Sequence, residues 1–283
     1  MSGVLKASGI SLGYSRERGW QTVLLGFDMQ VEAGEVVSIL GPSGVGKSSL
    51  LRVLAGLQSS HEGSVSVGSE RLNGPHPRIA VAFQDPSLLP WLTLEKNVSF
   101  GLDFASQPVL DAPERKARVE QAIAEVGLSH ARAYHPAQLS GGMAQRTALA
   151  RCLARQPDVL LLDEPFGALD EVTRADMQQL LLDVTARYRT AVVLITHDID
   201  EALLLSNRIL LLGDTPARTV GEWHIDLPRP RADRVEELGA LRVDILKTLR
   251  RASRNSQSRT ESLESPENGH VPGRLHSHTS RLS

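Results

Sequence analysis

Eight consecutive residues, Gly41-Pro42-Ser43-Gly44-Val45-Gly46-Lys47-Ser48, fit the pattern G-x-x-x-x-G-K-[ST]. The glycines let the backbone curl until its N–H groups face inward, toward a polyanion. Lys47 supplies a mobile cation for terminal phosphates, and Ser48 a hydroxyl for Mg²⁺. Ser49, next in line, is counted with the same cradle. Alone, the pattern specifies a nucleoside triphosphate and no more.

A second group lies far along the chain. Val159-Leu160-Leu161-Leu162 is wholly apolar and delivers Asp163 and Glu164 at its end. Asp163 is placed to hold the water shell of Mg²⁺. Glu164, one residue on, is placed to polarise an attacking water as general base. A solvent-exposed carboxylate pair is the bland alternative, and four apolar residues in front of it weaken that reading. A third group, Ser140-Gly141-Gly142 within Leu139–Arg146, opens a helix and so offers N–H groups to an anion. A plain N-cap by Ser140 explains these residues equally well. One nucleotide has one set of phosphates, so a second phosphate-facing element suggests a site shared between two chains.

The elements that must carry these residues follow from periodicity. Val36–Leu40 reads as a strand ahead of the glycine-rich loop, and Ser48–Leu57 as the helix behind it. Leu5–Leu12, Val23–Val31, Ser64–Val67 and Ile79–Phe83 read as further strands, with an antiparallel portion. From Pro86 to Pro157 the pattern is mostly helical, as expected of an inserted subdomain. Val119, Ala122, Ile123 and Val126 mark one helix over Pro113–Gly127. Gly142–Arg155 is a second, stopped near Pro157. Val172–Arg187 reads as a helix between two buried strands, Val159–Leu162 and Ala191–Thr196, and Ile209–Leu212 adds another. Strands alternating with helices predict a largely parallel α/β sheet.

The chain has 283 residues, 41% hydrophobic and 23% charged, with a formal net charge of -2. That length supports one sizeable core with a smaller subdomain. Near-neutral charge and 4% aromatics argue against nucleic acid as a partner. The single cysteine, Cys152, excludes a disulfide within the chain and suits a reducing compartment; a small buried filler is its expected role. Met1–Gly9 shows no apolar run of a secretory signal, and no stretch is long and apolar enough to span a bilayer. Ala252–Ser283 is rich in Ser, Arg, Asn, Glu and Pro and is expected to be disordered. His276 and His278 there are expected to be solvated rather than metal-bound.

Taken together, these motifs resemble the nucleotide-binding domain of ABC transporters. Ser140-Gly141-Gly142 resembles the family's signature, and Gln84 in Phe83-Gln84-Asp85 its Q-loop glutamine. Asp170 in Ala168-Leu169-Asp170 resembles the D-loop residue, His197 in Thr196-His197-Asp198 the switch histidine, and Tyr14 the aromatic that stacks on adenine. The match runs from about Val4 to Arg231, with a helical subdomain near 86–157; a C-terminal helix over 232–251 precedes the tail. Met143 departs from the family, where glutamine is common; little loss is expected, since Ser140 and backbone amides do the phosphate work. The resemblance implies a P-loop NTPase fold: a mixed sheet, an antiparallel β subdomain and an inserted α-helical subdomain.

It also implies a mechanism. Two copies of the chain sandwich two ATP molecules, with the P-loop, Asp163 and Glu164 of one facing Ser140–Gly142 of the other. His197 contacts the γ-phosphate, Asp170 crosses the dimer interface, and Gln84 senses nucleotide and metal and links them to the helical subdomain. That subdomain grips two permease subunits from the cytoplasmic face of the membrane, and a periplasmic or surface binding protein delivers cargo. Phe83–Trp91, Asn97–Leu102, Glu164–Asp170 and Leu227–Arg231 resemble the bacterial nitrate, sulfonate and taurine importers. These segments shape the socket for a permease and do not select cargo. An exporter, a regulatory nucleotide binder, and a non-transport ATPase acting on nucleic acid or ribosomes are the alternatives. Ordinary helices without sustained heptads between the Walker motifs speak against the last.

Overall fold

The computed structural model describes residues 4–16, 19–231 and 233–264. The first two strands, β1 (Leu5–Arg16) and β2 (Gly19–Val31), pair as a long antiparallel hairpin, reaching further than the apolar residues alone predicted. Along β2 the polar residue Asp28 alternates with buried Phe27 and Met29, the period of a half-covered sheet. β3 (Val36–Leu40) then runs into the glycine-rich loop and α1 (Lys47–Leu54). β4 (Glu62–Val67) pairs with β1, and β5 (Glu70–Arg71) with β4, closing a four-stranded antiparallel sheet in the order β2-β1-β4-β5.

β6 (Ile79–Ala82) begins the second half, and the helical subdomain follows it. That subdomain holds α2 (Leu94–Ser99), α3 (Ala112–Glu125) and α4 (Gly141–Leu153), with 3₁₀ turns at Ser129–Ala131 and Pro136–Gln138. Thr93, Asp111 and Ser140 cap the three helices, each accepting a hydrogen bond from the N–H three residues on. β7 (Val159–Asp163), α5 (Glu171–Tyr188), β8 (Ala191–Ile195), α6 (Ile199–Leu205) and β9 (Arg208–Gly213) then alternate strand and helix. β10 (Arg218–His224) folds back antiparallel on β9.

The six-stranded sheet has the order β10-β9-β3-β8-β7-β6 and is parallel except for β10. Every residue of β3, β7 and β8 is buried, because both faces are covered. Leu160 and Leu162 face a core shared with α2 to α5, whereas Val159 and Leu161 face α1 and the antiparallel sheet. Cys152 is buried in the first of these cores, as a filler, and burial raises its thiol to about 11.

α7 runs Val235–Glu264 and so carries on past Arg251, where the sequence reading ended it. The stretch Ala252–Glu264, expected to lack structure, is helical. It contains no Gly or Pro, and its Ala, Arg, Gln, Glu and Leu residues cost a helix little, though its four Ser cost somewhat more. The rest of the tail, with His276 and His278, lies outside the described residues. Among the described residues no helix is long and apolar enough to cross a membrane.

Candidate nucleotide site

The loop after β3 takes a shape that only glycine tolerates at two positions. Gly44 has φ +78° and Gly46 φ +101°, and a Cβ on Gly46 would lie 2.9 Å from Val23 Cγ1. Gly46 is also the N-cap of α1, and its carbonyl accepts from Leu50 N at 2.9 Å. The loop therefore leads directly into the N–H groups of a helix N-terminus. Lys47 is buried and donates Nζ to the carbonyls of Gly41 at 2.8 Å and Pro42 at 3.0 Å. Burial lowers its pKa, and the carboxylates of Glu164 and Asp163 oppose that shift. Ser48 is exposed at the start of α1 and Ser49 is half-buried behind it.

A cavity of about 330 Å³ opens on this loop, lined by Pro42, Ser43, Gly44 and Val45. Tyr14 stands on its rim, 46% exposed, beside Val23 and Asp214. The aromatic expected to meet a base is thus on the same cavity as the phosphate loop.

β7 places Asp163 at its last position, buried, where it hydrogen-bonds the Ser48 hydroxyl. Burial raises its pKa and Glu164 adds to the rise, while Ser48, Lys47 and Arg52 oppose it. Glu164 is the next residue and has φ +47°, rare for a side chain larger than Gly, Asn or Asp. Its N–H donates to Ile195 O at 2.9 Å, which pins the corner to the end of β8. Its carboxylate meets two of the other residues singled out in the sequence: Oε1 lies 3.2 Å from His197 Nδ1, and Oε2 accepts from Gln84 Nε2 at 3.5 Å. Residues 84, 164 and 197 converge because β6, β7 and β8 are neighbours in register and each ends within two residues of them.

Ser140, Gly141, Gly142 and Asp170 stand elsewhere. None of them lines the cavity on the P-loop. Ser140 Oγ accepts from Met143 N at 3.2 Å, and Asp170 Oδ1 from Thr173 N at 3.0 Å, so both cap helices of their own chain. The Thr173 amide holds the Asp170 carboxyl below its usual range. The two motifs touch each other: a Cβ on Gly142 would meet Leu169 Cδ2 at 3.2 Å.

Some shaping residues escaped the sequence reading. Buried Asn97 donates Nδ2 to the carbonyls of Leu89, Leu92 and Thr93 and accepts from Leu89 N. Arg151 holds the carbonyls of Pro86 and Ser87, at 2.9 and 3.0 Å, and Gln145 that of Phe83. Together they fix the backbone on either side of Gln84; Arg151 and Gln145 act on backbone about 60 residues away, which no local pattern marks, whereas Asn97 acts on its own neighbourhood.

Comparison with known proteins accords with this arrangement. The family model described as "ABC transporter" matches residues 24–167. The aliphatic sulfonates import ATP-binding protein of Burkholderia lata is 48% identical over 81% of this chain and 81% of its own length. The nitrate transport protein of Klebsiella oxytoca is 42% identical, over 82% of this chain and 88% of its own. A solved dimer of an ATP-binding cassette, in a post-hydrolysis state with ADP and Pi, superposes with a TM-score of 0.72 at 31% identity, covering 79% of this chain and 100% of that one. Phosphate loop, buried carboxylate, converging polar triplet and relatives together lead to one conclusion: the chain belongs to the ABC transporter family, as an ATP-binding subunit.

Proposed function

We propose that this chain hydrolyses ATP as one half of a dimer and thereby drives a bacterial importer of small anions, aliphatic sulfonates above all. The observation that carries the hydrolytic reading is the Glu164 carboxylate, held between His197 and Gln84 at the end of β7, beside Asp163, Ser48 and Lys47. The cargo reading rests on the 48% identity to a sulfonate importer subunit. The identity to a nitrate protein, 42%, makes nitrate the second reading.

In this mechanism the loop N–H groups and Lys47 bind the β- and γ-phosphates, and Tyr14 stacks on the adenine. Ser48, Asp163 and Gln84 offer only oxygen donors toward a metal, which suits Mg²⁺; that ion would neutralise phosphate charge during transfer. Glu164 accepts a proton from water as the water oxygen bonds to the γ-phosphorus. The bond from that phosphorus to the β–γ bridging oxygen breaks, leaving ADP and phosphate. His197 contacts the γ-phosphate and, through Glu164, helps orient the water. Ser140–Gly142 of a second copy close the site over the same γ-phosphate, so ATP joins the dimer and hydrolysis releases it. The helical subdomain passes this cycle to two permease subunits at the cytoplasmic membrane face, which receive cargo from an external binding protein.

Glu164→Gln tests the hydrolytic reading. The variant keeps ATP affinity, loses phosphate release by at least about 100-fold, and elutes as a dimer with ATP on size exclusion. Turnover at the wild-type rate refutes the general-base role. For cargo, deletion of the gene abolishes growth on an aliphatic sulfonate as sole sulfur source and spares growth on nitrate; the reverse pattern selects the second reading.

A further inference from the structure

We infer that Arg229, Arg231 and Arg242, all beyond β10, position His197 by holding both ends of α6. This rests on the reading that His197 serves hydrolysis. α6 begins two residues after His197 and ends at Leu205. The last carbonyls of a helix carry partial negative charge and have no intrahelical donor. Arg231, 3% exposed, donates to two of them, Leu203 O at 3.0 Å and Ser206 O at 2.5 Å. It also reaches Ile225 O and Leu227 O, each at 2.9 Å. Arg229 takes Leu205 O and, at 3.2 Å, Asn207 Oδ1, which also accepts from Val36 N at the start of β3.

Among the described residues, the hydrogen-bond partners of Arg231 are all peptide carbonyls. Burial draws its pKa down to about 10, which leaves it charged at neutral pH. Burying a cation is costly, and here the cost is offset by four peptide carbonyls that accept from it and that a methionine would leave unpaired. What the cation adds is a fixed axial position for α6. At the other end, Arg242 of α7 donates Nε to Asp200 Oδ1 at 2.7 Å, in the first turn of α6. Asp198, the residue after His197, caps that turn by accepting from Asp200 N at 2.8 Å. α6 spans only about 10 Å, so a shift at Leu205 arrives undiminished at His197. The contact it would disturb is the 3.2 Å approach of His197 Nδ1 to Glu164 Oε1.

A double-mutant cycle on the full chain tests this. Misplacement by about 1 Å at a reacting group costs up to about 100-fold, so Arg231→Met lowers kcat by about 10- to 100-fold. KM for ATP stays within about twofold, because the P-loop is untouched. In a His197→Ala background the same substitution lowers kcat by less than about twofold. Equal losses in both backgrounds, or none in either, overturn the inference. His197→Ala with wild-type turnover overturns the reading of His197 and this inference with it. Where Arg231→Met does not fold, Arg242→Ala on the surface takes its place in the cycle, with a smaller loss, about threefold, that again vanishes without His197.

Discussion

Gly46→Ala isolates the contribution of loop shape to nucleotide binding. Gly46 sits at φ +101°, where an L-residue costs about 1–2 kcal/mol. The added Cβ would also stand 2.9 Å from Val23 Cγ1, closer than real Cβ contacts. The loop can relieve both only by turning its N–H groups away from the phosphates. A loss of about 2 kcal/mol corresponds to about 30-fold in Kd. The assay is calorimetric titration with ATP and Mg²⁺ in the Glu164→Gln background, so that turnover does not consume the ligand. Val23→Ala removes the clash and leaves the dihedral, so Gly46→Ala with Val23→Ala recovers affinity in part, measured against Val23→Ala alone. Full recovery means that sterics alone matter and the dihedral argument is wrong. Affinity within about twofold of the parent in Gly46→Ala itself refutes the whole account.

Ser140→Ala removes the N-cap of α4, worth about 1 kcal/mol, so urea unfolding shifts modestly. In the same variant ATP-driven dimerisation, read by light scattering, falls much further than that cap explains; dimerisation at the wild-type ATP concentration contradicts a role across the interface. Glu201 is buried in α6, and burial raises its pKa despite the Thr196 and Gln178 hydrogen bonds. A carboxyl with a raised folded pKa destabilises the fold when charged and ceases to do so as pH falls through that pKa. Glu201→Gln therefore raises the thermal midpoint at pH 7 to 8, and the gain shrinks on acidification; a gain that is constant with pH contradicts burial as the cause.

The parallel strands were legible because each carries a run of apolar residues broken at most by a single polar one, such as Ser38 in β3, and the P-loop because its glycines are forced by backbone geometry. β10 escaped notice: Arg218–His224 is largely exposed and shows no apolar run. α6 is too short for helical periodicity, although Asp198 with Glu201 three residues on is a recognisable helix start. The charge cluster around Glu164 was legible only as separate motifs, since the strand order that unites residues 84, 164 and 197 is a tertiary fact. Arg231 stood in plain view within Leu227–Arg231, yet no sequence pattern says that its partners are carbonyls from Leu203, Ser206, Ile225 and Leu227. Ser140 and Asp170 are double-edged: in this chain they cap helices, and a role across the dimer interface belongs to the proposed mechanism.

The sheet pairs Ala82 with Leu162, Asp163 with Ile195, and Leu40 with Leu211. Gln84, Glu164, His197 and Gly41 each follow one of those strand ends within two residues. The site is therefore measured out by the sheet as by a ruler. One residue inserted before Val36 lengthens a turn and leaves the measure intact. The same residue inserted between Val36 and Leu40 turns half the strand over and carries the loop off by a strand step, about 3.3 Å. Tolerance to insertion should accordingly be steeply lopsided, permissive at the amino ends of β3, β6, β7 and β8 and absent at their carboxyl ends.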